Sequence, residues 1–396
     1  MRPRRALTLR GTGALLAGLG CLVAANLVAA PVLIHVGILL LALTCFSVLS
    51  VRLPRRSGTV ARQISTDLLT VSETSRVAVR LDLRSLRTPR GLWRDVLPDA
   101  VSGDASGEFP PPDGRLSYPI TGVRRGVWQI GPLVLRTVDP FGLAQREQAF
   151  GDTRTVTVVP EVFALMPLSV RVGAAGGTAH TSSSRLGQGA DNLSPRRYVP
   201  GDSMRRIHWR ASAHRGQLMV RQEEEESSPD ALVVLDRSAD RWRTPDGEAD
   251  PAFETAVSLC ASAAVHLMHE GYGVDVIDSA GTLLGTLRGH EDDRETMLVA
   301  LASVAPRGTS RDLAALVAGN PPGPLVYVTG ALDEAAAERL RPSGAAVPLL
   351  FATGPGEGVT ATVEPHGWHL ARLGDDVAEA WERALPERGG APDAAR

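Results

Sequence analysis

The chain has 396 residues, and its 42 Arg (there is no Lys) against 44 Asp and Glu give a formal net charge of −2 with His neutral. A balance this close to neutral excludes a generally basic nucleic-acid binder and a polyacidic tail protein, and 4% aromatics are too few for a single-strand stacking platform. Hydrophobic residues at 43% and charged residues at 22% exclude wholesale disorder, while Cys21, Cys45 and Cys260 have neither metal-ligand nor disulfide-framework spacing.

Between Arg10 and Arg52 there is no Asp, Glu or Arg, and Pro31 divides the stretch into Gly11–Ala30 and Val32–Val51. At about 1.5 Å per residue each half reaches roughly 30 Å, one hydrocarbon thickness. The competing reading is a signal peptide, with Arg2, Arg4 and Arg5 as its basic head and Ala24–Ala30 supplying small residues for cleavage. A second full apolar span follows at once, which favours a two-helix transmembrane hairpin over 1–56, with helices at about 11–30 and 32–51. Arg clusters flank both outer ends and the turn is uncharged, so the positive-inside rule puts both termini in the cytoplasm of a multi-pass plasma (inner) membrane protein.

Residues 57–170 read as a β-rich, sandwich-like or open-barrel domain. Val77–Leu83 alternates large apolar with small or charged residues, and Val127–Ile130, Leu133–Val138 and Thr155–Val159 are similar short runs punctuated by Gly and Pro. Residues 171–190 are Gly/Ser/Thr-rich and read as a flexible linker or loop. Residues 191–228 hold a dense motif block. Asp202 suits an N-cap for a helix over Ser203–Arg215, with Gly216 behind it, Trp209 as a core anchor and a strand over Gln217–Arg221.

From 229 to 388 strands alternate with helices. Ala231–Leu235, Val274–Ile277, Leu325–Thr329, Val347–Phe351 and Trp368–Leu373 read as strands; Ala252–Glu270, Glu295–Val304, Arg311–Ala318, Glu334–Leu340 and Asp375–Leu385 read as helices. This predicts a mainly parallel sheet covered on both faces, an α/β domain behind the all-β one. Gly281 and Gly285 suggest a hairpin turn, and residues 389–396 a disordered tail.

The motif block resembles the signature of the family called domain of unknown function 58. The matching residues are Tyr198, Pro200, Gly201, Asp202, Arg206, Ile207, Trp209, Ala211, Ser212, Ala213, Arg215, Leu218, Val220 and Glu223. Arg124-Arg125-Gly126, Asp139-Pro140-Phe141-Gly142-Leu143 and the N-terminal hairpin are similar to the same bacterial family. The resemblance implies a C-terminal domain like von Willebrand factor A, a Rossmann-type fold. It also implies partnership with a MoxR-type AAA+ ATPase and a transglutaminase-like membrane protein. The expectation is an adaptor or scaffold rather than an enzyme, with Tyr198, Gly201, Asp202, Arg205, Arg206, Trp209 and Arg215 as the partner-binding motif.

The A-type fold places Mg²⁺ at an Asp-x-Ser-x-Ser loop. Here the loop reads Asp236-Arg237-Ser238-Ala239-Asp240, and the later Thr-Asp-Gly is replaced by Thr329-Gly330. The reading favours a degenerate, metal-free site, with Mg²⁺ at Asp236, Ser238 and Asp240 as the alternative. The Arg cluster from Arg196 to Arg221 reads mainly as ion pairing with Glu223–Glu226 and secondarily as a docking face; nucleic acid is the least favoured partner. A metal-dependent hydrolase using Asp236, Asp240 and His208 is the competing function. The chain lacks HExxH, GxSxG and Walker A motifs, and Cys260, inside an apolar helix, reads as a buried thiol.

Overall fold

The computed structural model describes residues 6–52, 57–66, 68–84, 91–109, 115–168, 193–198, 207, 209–223, 230–243, 250–309, 311–317, 323–340, 345 and 347–385. It divides into two compact units, residues 1–161 with 298–305, and residues 162–297 with 306–396. The linker expected over 171–190 and the tail over 389–396 lie outside the described residues.

The first unit opens with α1 (Leu9–Val28) and α2 (Pro31–Arg52), two helices long and apolar enough to cross a membrane. Thr8 caps α1 by accepting from the Gly11 N–H, and Ala29 takes the left-handed conformation that reverses the chain before Pro31. The buried positions of α1 are Gly11, Gly18 and Ala25; those of α2 are Gly37, Thr44, Ser47 and Val51. The seven-residue spacing keeps small residues on the facing stripe, where helices in lipid pack by close backbone approach. A Cβ on Gly37 would stand 2.9 Å from the Gly18 carbonyl oxygen.

Behind the hairpin, β1 (Ser57–Ile64), β3 (Thr74–Arg84), β7 (Leu116–Gly122) and β5 (Val101–Ser102) form one sheet in the order β1-β3-β7-β5. A second sheet runs β10-β9-β4-β6, from β10 (Gln145–Phe150), β9 (Leu133–Val138), β4 (Gly91–Asp95) and β6 (Ser106–Phe109). A third runs β2-β11-β8, from β2 (Leu68–Thr70), β11 (Arg154–Val159) and β8 (Gly126–Ile130). All pairings are antiparallel except β2 with β11. Alternate residues such as Val77, Val79, Tyr118, Ile120, Leu133 and Leu135 point into one core.

That core carries a buried ion pair. Asp95 accepts both Nε and Nη2 of Arg62 at 2.9 Å and the Tyr118 hydroxyl at 2.8 Å. The Arg62 and Asp95 side chains are 4% and 0% exposed, so each charge is held by the other. Burial, then the Asp95 charge, pushes the Tyr118 hydroxyl pKa well above its ordinary range.

In the second unit β12 (Leu193–Arg197) pairs antiparallel with β13 (Met219–Glu223), and the short α3 (Trp209–Arg215) precedes β13. The main sheet has six strands in the order β16-β15-β14-β17-β18-β19. These are β14 (Asp230–Leu235), β15 (Gly273–Asp278), β16 (Leu283–Leu287), β17 (Pro324–Leu332), β18 (Val347–Pro355) and β19 (His369–Arg372). All neighbours run parallel except the β15–β16 hairpin, whose turn uses Gly281 at φ 82°. Counted in chain order within the sheet, this is 3-2-1-4-5-6, the doubly wound order, with its reversal between β14 and β17.

Helix α4 (Pro251–His269) covers one face. Asp250 caps it, Pro251 starts it and Gly271 at φ 92° follows it, while Phe253, Val257, Leu259 and Leu267 are buried. Each such side chain stabilises the fold by roughly 1.5–3 kcal/mol on burial. Although α4 is apolar enough to cross a membrane by composition, 61% of its most apolar window is buried inside the protein. The other face is covered by α6 (Leu313–Val317), α7 (Glu334–Ala337) and α8 (Val359–Val363), packed with Leu232, Val234, Tyr327 and Trp368. Helix α5 (Glu291–Ala302) follows the hairpin, and α9 (Val377–Ala384) packs its buried Trp381 parallel to the Phe351 ring, 5.9 Å away.

Candidate functional site

The carboxyl end of β14 delivers Asp236 to the point where the strand order reverses, and Thr329, in the second half of β17, stands opposite. Open α/β sheets place ligands in this crevice. Asp236 is 2% exposed and fully engaged. Its Oδ1 accepts from the Ser238 N–H at 3.0 Å and the Ser238 hydroxyl at 2.5 Å. Its Oδ2 accepts from the Thr329 hydroxyl at 3.0 Å and the Tyr327 hydroxyl at 3.2 Å. Four donors fill the four acceptor positions of a carboxylate. The Trp242 indole N–H closes the turn onto the Asp236 carbonyl at 2.8 Å.

The turn after β14 sits directly on β17. A Cβ on Gly330 would fall 2.0 Å from the Arg241 carbonyl oxygen, so glycine is the residue that admits this approach. Arg237 turns away from Asp236 and is buried. It pairs with Asp278 at 2.9 Å, and Asp278 also accepts the Ala280 and Thr282 N–H groups of the hairpin turn. Burial and the neighbouring Arg307 lower the Arg237 pKa, and Asp278 opposes them.

Beside Asp236 opens a cavity of about 310 Å³. Its lining includes Asp236, Asp240, Arg241, Arg311, Asp312, Tyr327 and Arg339 over an apolar floor of Leu313, Leu332 and Leu340. Of the metal set expected from the sequence, Asp236 and Asp240 line the cavity, whereas Ser238 is 1% exposed and points its hydroxyl at Asp236. Among the described residues no group of three or more His, Cys, Asp and Glu could hold a metal ion. With both Asp236 oxygens filled and Ser238 aimed at them, these side chains do not assemble a cation site in this arrangement. The cavity lining contains no His or Cys, and His208 lies outside the described residues.

Of the signature block, Gly201, Asp202, Arg205 and Arg206 lie outside the described residues, as does the expected start of the helix at Ser203. The described helix is Trp209–Arg215, seven residues long. It is fastened to β13 by the buried Ser212 hydroxyl, which accepts the Met219 N–H at 2.8 Å. Tyr198 is half-buried, and its N–H bonds the Leu218 carbonyl. Trp209 corrects the expectation of a core anchor: it is 69% exposed, and among the described residues of 207–215 the buried ones are Ile207 and Ser212. Arg210, His214 and Arg215 of the same helix are exposed as well. The side chains of the glutamate run that was to pair with the Arg cluster lie outside the description.

Two motifs of the first unit acquire structural roles. Gly126, at φ 145°, lets the Trp128 ring fold back so that its N–H reaches the Arg124 carbonyl and the Arg124 guanidinium covers the ring at 5.0 Å. Asp139 builds the Asp139–Ala144 turn by accepting from the Phe141 and Ala144 N–H groups at 2.9 and 2.6 Å. Signals for both were present as motifs, but their geometry was not. Tyr327, the polar partner of Asp236 that the sequence reading missed, was visible only as one tyrosine in an aliphatic strand.

Residues 194–320 match the family described as "Protein of unknown function DUF58". Over 158 residues, 40% of the chain, the protein is 27% identical to the uncharacterised protein YeaD of Bacillus subtilis, and the match spans 37% of that relative's length. Among solved structures, similarity is reported to a cohesin module of a Clostridium perfringens family 33 glycoside hydrolase (7% identity, 26% of this chain and 96% of that one, TM-score 0.16). A second is Cwp6 from Clostridium difficile (9% identity, 82% of this chain and 39% of that one, TM-score 0.17).

Proposed function

We propose that this protein is a membrane-anchored docking protein, held in the plasma membrane by α1 and α2 with its termini in the cytoplasm, whose partner is a MoxR-type AAA+ ATPase. The observation that carries the docking reading is Trp209. A tryptophan 69% exposed on a short helix that also exposes Arg210, His214 and Arg215 has the composition of an interface hot spot rather than of a core. Its basic neighbours suit an acidic partner surface. The choice of an ATPase rests on the family resemblance, as does a transglutaminase-like protein in the same assembly. The doubly wound strand order supports the von Willebrand factor A-like reading of the second unit. Binding rather than hydrolysis accords with Asp236, whose lone pairs are spent on Ser238, Tyr327 and Thr329 instead of on a reacting group.

The test is capture of the tagged full chain from gently solubilised native membranes, with and without a non-hydrolysable ATP analogue, beside Trp209→Ala and Arg206→Glu variants. A AAA+ ATPase retained by the unmutated chain and lost from Trp209→Ala is the expected result. Because the indole is exposed, that substitution should change stability by no more than about 0.5 kcal/mol, so loss of the partner reads as loss of a contact. Equal retention by Trp209→Ala refutes the docking face. Absence of an ATPase in every nucleotide state refutes the partner.

A further inference from the structure

The first unit carries an aromatic pair at the open end of its hairpin. The Asp139–Ala144 turn is tied to both helices. The Thr8 hydroxyl donates to the Gly142 carbonyl at 2.6 Å, the Thr8 N–H donates to the Leu143 carbonyl, and the Gln145 N–H donates to the Ala6 carbonyl. Arg146, two residues after the turn, donates to the last carbonyls of α2, at Arg52 (3.2 Å) and Val51 (3.4 Å). Gly11 is packed so closely that a Cβ there would fall 1.9 Å from the Leu143 carbonyl oxygen. The turn is thus fixed at the level where both helices leave the apolar span.

Phe141 projects from this turn and meets Phe46 of α2 edge to face, ring centroids 6.4 Å apart. Phe46 lies six residues before Arg52, so it stands about 9 Å deeper along the helix than the flanking arginine. The Phe141 ring therefore reaches past the level of the arginines toward the apolar span. Both rings remain open, at 50% and 58% exposure, as apolar surface that water would leave costly.

We propose that the Asp139–Ala144 turn is a membrane-contacting element in addition to the hairpin, seating Phe141 in the headgroup–acyl boundary of the bilayer. The occupant is a lipid surface because the patch is continuous with the spanning helices. Arg10, whose guanidinium comes within 4.0 Å of a Cβ placed on Gly142, and Arg52 stand at the same end to face anionic headgroups. The inference rests on the anchoring proposed above and adds that the β-rich part of the unit is held against the membrane by its own residues.

The experiment uses the full chain reconstituted in phosphatidylcholine–phosphatidylglycerol vesicles, with lipids brominated near the glycerol end of their chains. Phe46→Trp and Phe141→Trp are compared with the unmutated protein; both sites are exposed enough to accept the larger ring. In each variant the added tryptophan emission should be lost to the brominated lipid and spared by aqueous iodide. If Phe46→Trp is quenched by lipid but Phe141→Trp by iodide, the anchoring stands and the turn proposal is overturned. If lipid quenches neither, the anchoring fails and the proposal fails with it.

Discussion

Replacing Asp236 by Ala removes the acceptor of four hydrogen bonds at once. The Ser238 N–H, the Ser238 hydroxyl, the Thr329 hydroxyl and the Tyr327 hydroxyl all lose this acceptor, in a place where Asp236, Ser238, Tyr327 and Thr329 are each 3% exposed or less. An orphaned buried polar group costs about 1–3 kcal/mol. Some of that returns, because hydroxyls rotate and the cavity beside Tyr327 admits water, so a net loss of about 3–5 kcal/mol follows. The chain has two units, so a single melting curve is the wrong reading, and local hydrogen exchange is the right one. Amides of β14 and β17 that open only with the second unit should exchange about 100- to 3,000-fold faster in Asp236→Ala, at one factor of ten per 1.4 kcal/mol. Asp236→Asn, which keeps one acceptor oxygen and can donate to a hydroxyl from its amide, should fall well below that. Two results would refute the reasoning. One is an acceleration under about tenfold, the threshold that 1.4 kcal/mol sets. The other is protection of the unmutated chain by Mg²⁺ that Asp236→Ala abolishes, which would make the carboxylate a cation ligand.

Two further outcomes follow from the same kind of accounting. Asp95→Ala strands the Arg62 guanidinium, 4% exposed, in the core of the first unit; breaking a buried pair in this way costs about 3–5 kcal/mol, measurable as faster exchange in β4 and β7 with the second unit unaffected. Burial of His369 on β19 lowers its pKa from the ordinary 6.5, so the unfolded chain takes the proton first. The stabilisation is complete above pH 6.5 and is lost as pH falls through the lower folded value, and His369→Gln should flatten that acid limb in a pH series of second-unit exchange.

Much of the architecture was legible because it depends on local pattern. The uncharged run from Gly11 to Val51 has the length and composition of two spans whatever surrounds it. The alternation of Val77, Val79 and Leu81 declares a half-buried strand, and the unbroken Ala231–Leu235 run declares one covered on both faces. The helix over Ala252–Glu270 was placed to within a residue at each end from its long apolar pattern, and the structure adds Asp250 as its cap and Pro251 as its first residue. Cys260 was read as a buried thiol from its apolar neighbours; it is fully buried, and burial pushes its pKa up to about 12.

What the sequence could not decide were relations between distant residues. From its own loop Asp236 reads as part of a degenerate metal loop, with Mg²⁺ as the alternative, and it becomes a saturated structural acceptor only when β17 brings Tyr327 and Thr329 against it, 91 and 93 positions away. The partner of Arg237 lies 41 positions on, at the end of β15. Trp209 looks like an anchor by residue type, yet the short helix that carries it is fastened through Ser212 and leaves the indole outside. The Asp139–Ala144 turn is recognisable as a turn in any context, but only the folded unit sets it against Thr8, 134 residues away. Periodicity reports which face of an element avoids water, so spans, strands and helices follow from the sequence alone. Which polar groups meet depends on the order and register of strands far apart in the chain, and that is fixed only when the whole sheet closes.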